Sequence, residues 1–404
     1  MSQPSQKTRL LIVHAQANNH DCGGSFQMLR HLLAGLDHER FDVHCALSLL
    51  DKSAGNPDEG AWRTLNELGA QVRVLYVPVN QAGAGPVALL RYGFEVIGAT
   101  LRLRMLVRRG KFDMVHTNTI NMLPSGLAAR LTGTKSVYHI HEIVRRPPLV
   151  AKTLARMVGK LADKLLCVSR AAMAPFEEVG VPERKLAHVP NCIDLQVFDE
   201  RFDGSAVRSE FLQNRDDRLI VAVGRLVPKK GFHELIEAAK DVVAEMQQAR
   251  FLLVGDTKSD DSYRQQLLRR IDELGLRDNI IFAGPRTDIP EIMAAADAAV
   301  LVAASTATPE SFGLVILEAL AMATPVVATA LGGIPEVLRD GEHGYLVPPN
   351  DPPALAQALL RLLRDPQHAR AMGESGKQWA RQNFSGEDYA ARVIKELGIY
   401  NGKI

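Results

Sequence analysis

Cysteine is scarce in this 404-residue chain: Cys22, Cys45, Cys167 and Cys192 are scattered, and no two form a C-x-x-C pair. That leaves no zinc ribbon or dithiol centre, and free, buried thiols in a reducing compartment are expected. Aromatic residues make up only 5%, too few for a base-stacking platform. Neither sign of charge dominates, with 48 Lys and Arg against 46 Asp and Glu for a net +2. A dedicated nucleic-acid binder is strongly basic, so nucleic acid is not an expected partner. Long apolar runs are missing as well. Leu10–Val13 is too short for a signal-peptide core of about 7–15 residues. The longest uncharged stretch, 319–335, is interrupted by Thr324, Pro325, Gly332 and Gly333, unlike a spanning helix of about 20 apolar residues. A cytosolic protein without a transmembrane segment is the expectation.

The chain does hold short apolar, β-branched runs alternating with longer helical patterns, which is how parallel sheets covered on both faces read. Strands are expected at Leu10–His14, Val43–Leu47, Val72–Val77, Met114–His116, Val137–His141, Leu165–Val168 and Leu186–Val189. The pattern restarts with Leu219–Val223, Phe251–Val254, Ile280–Phe282, Ala298–Val302, Val326–Ala328 and Tyr345–Val347. Amphipathic helices are expected after Gly24 and at 233–247, 352–364 and 386–397. The fold class is therefore α/β, with two Rossmann-like βαβ domains facing across a cleft. Residues 1–195 form the N-terminal domain, 196–217 a polar linker, and 218–383 the C-terminal domain. The helix in 384–404 is expected to pack back on the first domain. Ligands of such sheets lie outside the carboxyl ends of the strands, and the candidate motifs all fall at predicted strand ends.

Glu310 and Glu318 bracket Ser311-Phe312-Gly313-Leu314-Val315. With a helix starting near Phe312, the two carboxylates lie about 12 Å apart along its axis, able to grip hydroxyls at two ends of an elongated ligand. The free N–H groups at Gly313 and Leu314 would face a phosphate between them. After strand Leu219–Val223 comes Gly224-Arg225-Leu226-Val227-Pro228-Lys229-Lys230-Gly231, where Arg225 and Lys230 can neutralise a diphosphate. No D-x-D triplet is present, so no metal is expected and charge neutralisation falls on these cations and on backbone amides. Gly23-Gly24 follows the first strand, where backbone can approach a phosphate closely, although a tight turn capped by Ser25 is the plainer reading. Gly83-Ala84-Gly85-Pro86 opens no βαβ turn and reads as a loop. His139 and His141 end a strand on one face; with no third ligand they suit a hydrogen bond into a cleft better than a metal. P-loop, G-x-S-x-G and H-E-x-x-H motifs are absent.

In this order the motifs resemble those of the retaining glycosyltransferases of family 4, which have the GT-B fold. The resemblance takes in Pro190-Asn191-Cys192-Ile193-Asp194, Ala283-Gly284-Pro285-Arg286-Thr287-Asp288-Ile289-Pro290, Gly332-Gly333-Ile334-Pro335-Glu336 and Gly341 to Val347. It implies a nucleotide-diphosphate sugar donor, uridine slightly before guanosine, and a glycan or lipid-linked acceptor in cell-envelope or exopolysaccharide assembly. By the same resemblance Glu318 would take the ribose hydroxyls, Glu310 the sugar hydroxyls, and Arg225 and Lys230 the diphosphate. Backbone at Phe312 to Val315 would hold sugar and phosphate, the segment Arg286 to Ile289 would border the base, Gly24 would approach the phosphate, and His141 the transferred sugar. Two positions depart from the family pattern: Ser311 where glycine is frequent, narrowing the room above the sugar, and Cys192 where Pro-Asn-Gly is usual. No cofactor beyond the donor is implied. A GT-B-like epimerase and a non-catalytic sugar-nucleotide-binding protein are the alternatives. Finally, Lys152, Arg156, Lys160 and Lys164 recur every four residues beside an apolar face; they form either a solvated helix face or a peripheral contact with an anionic membrane.

Overall fold

The computed structural model describes residues 7–16, 23–49, 59–78, 86–143, 145, 147–199, 201–256, 261–304 and 309–398. Cys22, the segment 17–22 before Gly23, and Gly83 to Gly85 lie outside the described residues. The chain forms two units, residues 1–190 with 387–404, and residues 191–386.

The first unit holds a seven-stranded parallel sheet. Its strands are β1 (Thr8–Gln16), β2 (Phe41–Leu49), β3 (Gln71–Tyr76), β4 (Met114–Thr117), β5 (Lys135–Ile140), β6 (Lys164–Cys167) and β7 (Leu186–His188). Their order is β3-β2-β1-β4-β5-β6-β7. Helices α1 (Gly24–Ala34), α2 (Glu59–Glu67), α3 (Pro86–Gly110), α4 (Leu123–Thr132), α5 (Pro148–Leu161) and α6 (Arg170–Glu178) make the crossovers. Every residue of β4 is buried, as expected of a strand covered on both faces, and this is why the strands show in the sequence as unbroken apolar runs.

The second unit begins with α7 (Ser205–Phe211) and carries a six-stranded parallel sheet of order β10-β9-β8-β11-β12-β13. The strands are β8 (Arg218–Val223), β9 (Ala249–Val254), β10 (Ile280–Gly284), β11 (Ala298–Leu301), β12 (Val326–Thr329) and β13 (Gly344–Val347). Its helices are α8 (Phe232–Glu245), α9 (Asp261–Glu273), α10 (Ile289–Ala295), α11 (Leu314–Ala321), α12 (Ile334–Val337), α13 (Pro352–Arg364) and α14 (Pro366–Phe384). Local chemistry sets their starts: Asp351 accepts from the N–H of Ala354 and Asp365 from that of His368, both at 3.0 Å, with prolines in the first turns of α13 and α14. The last helix, α15 (Tyr389–Leu397), belongs to the first unit. There it packs on α1 and β6, Tyr389 is fully buried, and Lys164 pairs with Glu396 at 3.1 Å.

Residues 196–217, expected from the sequence to be a linker, are part of the second unit. The Arg208 guanidinium donates to the carbonyls of Ala295 and Asp217 and pairs with Asp297 at 3.1 Å. Of its apolar residues Phe198 and Val207 are buried, too few to set a hydrophobic period, and these polar bonds supply the rest of the hold. Lys164 is the first residue of β6 and not part of α5, which ends at Leu161. No helix of the described residues is long and apolar enough to cross a membrane. Cys45, Cys167 and Cys192 are free and buried, and burial pushes the Cys45 and Cys167 thiols up to about 12.

Candidate active site

Both sheets reverse their strand order next to the first strand of each unit, between β1 and β4 and between β8 and β11. The loops leaving those strand pairs diverge, opening a crevice at each carboxyl edge. Arg225, Lys230, Glu310 and Glu318 follow the strands of the second of these places, and Gly24 follows a strand of the first.

In the second unit, β8 runs into Gly224–Gly231, whose 3-10 turn Pro228–Lys230 ends at Gly231, the N-cap of α8. The chain after β11 lies alongside: the Ala304 N–H donates to the Lys229 carbonyl at 3.3 Å, and Ala303 is held by the Thr329 hydroxyl at 2.8 Å. These contacts bring Lys230 and Glu310 together, Nζ to Oε2 2.5 Å, each side chain 21% exposed. Glu318, in the second turn of α11, is buried. Burial raises its carboxyl to about 7, against the pull of the Lys230 charge. One lysine thus pairs with one carboxylate and acts by its charge on a second, which burial holds near the middle of its titration at neutral pH. Arg225 stands exposed on the same loop.

The helix begins at Leu314, two residues later than expected, because Gly313 takes a left-handed conformation at φ +92 and serves as its N-cap. No side chain caps this end. The exposed first-turn amides are therefore shifted towards Leu314 and Val315, with Phe312 buried and Ser311 partly exposed before them. Arg286 is already committed: it pairs with Asp288 and Glu210 at 2.7 and 2.8 Å and lies 5.4 Å from the centre of the Phe211 ring. It anchors the start of α10, and hence Ile289, to α7.

Two glycines that spacing alone did not single out fix the site's backbone. Gly332 has φ +65, and a Cβ there would sit 2.0 Å from the Glu310 carbonyl, which also accepts from the Gly333 N–H at 2.9 Å. Gly255 presses on the Gly224 carbonyl, where a Cβ would come within 1.8 Å. Replacing Gly332 by alanine must displace Glu310, and steady-state kinetics should show kcat/KM lower by about 10²-fold.

In the first unit Gly23 is the N-cap of α1 and Gly24 its first residue, next to β4 and its follower Asn118. The Asn118 amide donates to His14 Nδ1 and to the Ser25 carbonyl, both at 3.0 Å, and its Oδ1 lies 2.9 Å from His141 Nε2. Because the amide nitrogen donates to both partners, its oxygen is left to accept, and His141 carries its proton on Nε2. Sequence reasoning missed Asn118, an ordinary residue at a strand end. His139 is fully buried with its ring 4.3 Å from that of His141. Burial, reinforced by His14 and His116, lowers His141 to about 3. His141 therefore stays neutral at working pH, and the inflections of the kcat/KM pH profile should be unchanged in His141→Gln, although its height falls. Glu142, which departs from the histidine face, accepts from the Thr119 hydroxyl at 2.7 Å. Among the described residues no group of three or more His, Cys, Asp or Glu is arranged to hold a metal ion.

Comparison with known proteins identifies the scaffold. Residues 22–197 match the model of Glycosyltransferase Family 4, and residues 205–379 that of Glycosyl transferases group 1. A GDP-mannose-dependent alpha-(1-6)-phosphatidylinositol monomannoside mannosyltransferase of Mycolicibacterium smegmatis is 31% identical over 280 residues, covering 67% of this chain and 72% of that one. The chain belongs to the family 4 glycosyltransferases. This glycosyltransferase is also 27% identical over 379 residues, 90% of each chain, to a UDP-Gal:alpha-D-GlcNAc-diphosphoundecaprenol alpha-1,3-galactosyltransferase of Escherichia coli. Its GT-B fold is shared with the crystal structure of Anabaena HepE in complex with UDP, at TM-score 0.78 and 23% identity over 97% of this chain and 100% of that one. Sucrose-phosphate synthase from Thermosynechococcus elongatus has the same fold, at TM-score 0.75 and 21% identity, covering 97% and 98% of the two chains.

Proposed function

We propose that this glycosyltransferase transfers a sugar from a uridine-diphosphate sugar to a lipid-linked glycan acceptor, with retention of anomeric configuration and without a metal. The observation that carries the reading is the Lys230–Glu310 pair at the switch point of the second sheet, with the buried Glu318, whose carboxyl feels the Lys230 charge, on the helix that follows. Two carboxylates along one helix start suit the hydroxyls of sugar and ribose, and the cationic loop between them suits a diphosphate. The Escherichia coli relative, which aligns over nearly the whole chain, is named for a UDP-sugar donor and a diphosphoundecaprenol-linked acceptor. That favours uridine over the guanosine named for the mycobacterial relative. Three buried free thiols suit a reducing, cytosolic compartment.

In the proposed reaction the acceptor hydroxyl oxygen bonds to the anomeric carbon on the face from which the diphosphate departs. The carbon–oxygen bond to phosphate breaks with its electron pair going to the phosphate, and the acceptor proton passes to a leaving phosphate oxygen. The enzyme then mainly has to stabilise the charge that develops on the diphosphate, which Arg225, Lys230 and the first-turn amides of α11 would do. Glu318 would accept from the ribose hydroxyls and Glu310 from those of the sugar. The segment Arg286 to Ile289 would border the base, Gly24 would approach the phosphate, and neutral His141 would contact the transferred sugar.

The test is turnover of UDP-sugars with a polyprenyl-diphosphate-linked acceptor in the presence of a chelator, with the product's anomeric proton followed by NMR. An α-linked product from an α-linked donor is expected. An inverted product, free monosaccharide epimer made without acceptor, or activity that appears only on adding a divalent ion would overturn the reading.

A further inference from the structure

Of the ten large apolar side chains that stand exposed among the described residues, eight are on α3, α4 and α5. Four of them, Phe94, Ile97, Leu101 and Met105, follow at intervals of three, four and four residues, so they form one outward stripe along α3. Leu131 on α4 and Leu149 on α5 are exposed as well. The helices form one layer, α3 packing on α4 and α4 on α5, as right-handed crossovers moving in one direction along the sheet require. Soluble surfaces scatter their exposed apolar residues singly; a gathered set marks a contact.

The charge of the same stretch says what it meets. From Phe94 to Ala162 the chain carries twelve of its 48 Lys and Arg but only three of its 46 Asp and Glu. Those three are spoken for: Glu95 accepts from the Tyr76 hydroxyl, Asp113 from the Arg9 backbone N–H, and Glu142 from Thr119. Arg102, Arg108 and Arg109 are exposed beside the α3 stripe, and Lys152, Arg156 and Lys160 are exposed on α5. Two copies of this face brought together would set arginine against arginine, which disfavours a dimer through α3. An apolar ridge rimmed by cations suits the boundary between acyl chains and anionic headgroups.

We propose that the α3–α5 face of the first unit rests on an anionic lipid bilayer, α3 lying in the interface with Phe94, Ile97, Leu101 and Met105 turned into it. This rests on the lipid-linked acceptor reading, since it would hold the enzyme where such an acceptor resides. Of the two readings that the sequence leaves for 152–164, a solvated face or a membrane contact, it takes the second and widens it to a surface centred on α3.

The test is co-sedimentation of the full chain with vesicles of phosphatidylcholine alone and of phosphatidylcholine containing about one third phosphatidylglycerol. Binding to the anionic vesicles only is expected. It should fall about tenfold or more when Ile97→Glu is combined with Leu101→Glu, and by a similar factor for Arg108→Ser with Arg109→Ser. A UDP titration matching that of the wild type confirms that each variant is folded. Absence of wild-type binding, equal binding to neutral vesicles, or variants that sediment like the wild type would overturn the proposal. So would self-association of the wild type that the Ile97/Leu101 change abolishes without any vesicle binding, since the occupant would then be a second copy. Vesicle binding that depends on α3 in a protein that binds no nucleotide supports the bilayer contact while rejecting the donor reading, so the two failures are distinct.

Discussion

Lys230→Ala is expected to lower kcat/KM by about 10³-fold or more. Its ammonium group pairs with Glu310 at 2.5 Å and also lowers the pKa of Glu318. Removing it takes away a cation for the developing diphosphate charge and leaves the Glu310 carboxylate unpaired to repel that charge. The folded protein should lose only about 1 kcal/mol, because the pair keeps some contact with solvent. Lys230→Arg should recover only part of the activity, since a planar fork cannot replace a compact ammonium in the same space. Thermal melts alongside steady-state kinetics check both halves. Activity within tenfold of wild type in Lys230→Ala would remove the lysine from the site.

Glu318→Gln should change stability and binding in opposite directions. The Glu318 carboxyl is raised by burial from its ordinary value to about 7. The fold therefore favours its neutral form, and the stability associated with that form is present below about pH 4.5 and lost as pH rises through 7. Glutamine does not ionise, so relative to the wild type the variant should gain about 3 kcal/mol between pH 4.5 and pH 8. Denaturant unfolding at several pH values measures this. Uridine diphosphate affinity should fall in the variant and lose its rise with pH, because only an ionised carboxylate accepts from two ribose hydroxyls at once. The gain in stability follows from burial alone, so the loss of binding is what separates a residue that holds the nucleotide from one that serves the fold alone.

The central strands were legible because a parallel strand buried on both faces has no polar side to break its apolar run, while the edge strand β3, with Gln71 and Arg73 on its open side, showed as an alternation. Lys230, Glu310 and Glu318 were legible as charges at strand ends and helix starts, but their meeting was not. It depends on Gly231, Val302 and the Ala304–Lys229 bond, which join loops about 80 residues apart. Arg286 looked available for a ligand until Glu210, 76 residues earlier, appeared as its partner. Asn118 carried no signal, since nothing local to it announces that His14, Ser25 and His141 converge there. The start of α11 was placed two residues early because Gly313 reads equally well as a first-turn residue and as a left-handed cap.

The most direct test of the account is calorimetric titration with UDP and GDP in the absence of divalent metal, repeated on Arg225→Ala. Micromolar binding of UDP, weaker binding of GDP, and a loss of about tenfold or more in the variant are predicted. Binding of neither nucleotide, or binding that needs a divalent ion and ignores Arg225, would contradict the central claim that the second unit holds a nucleoside diphosphate by its own cations.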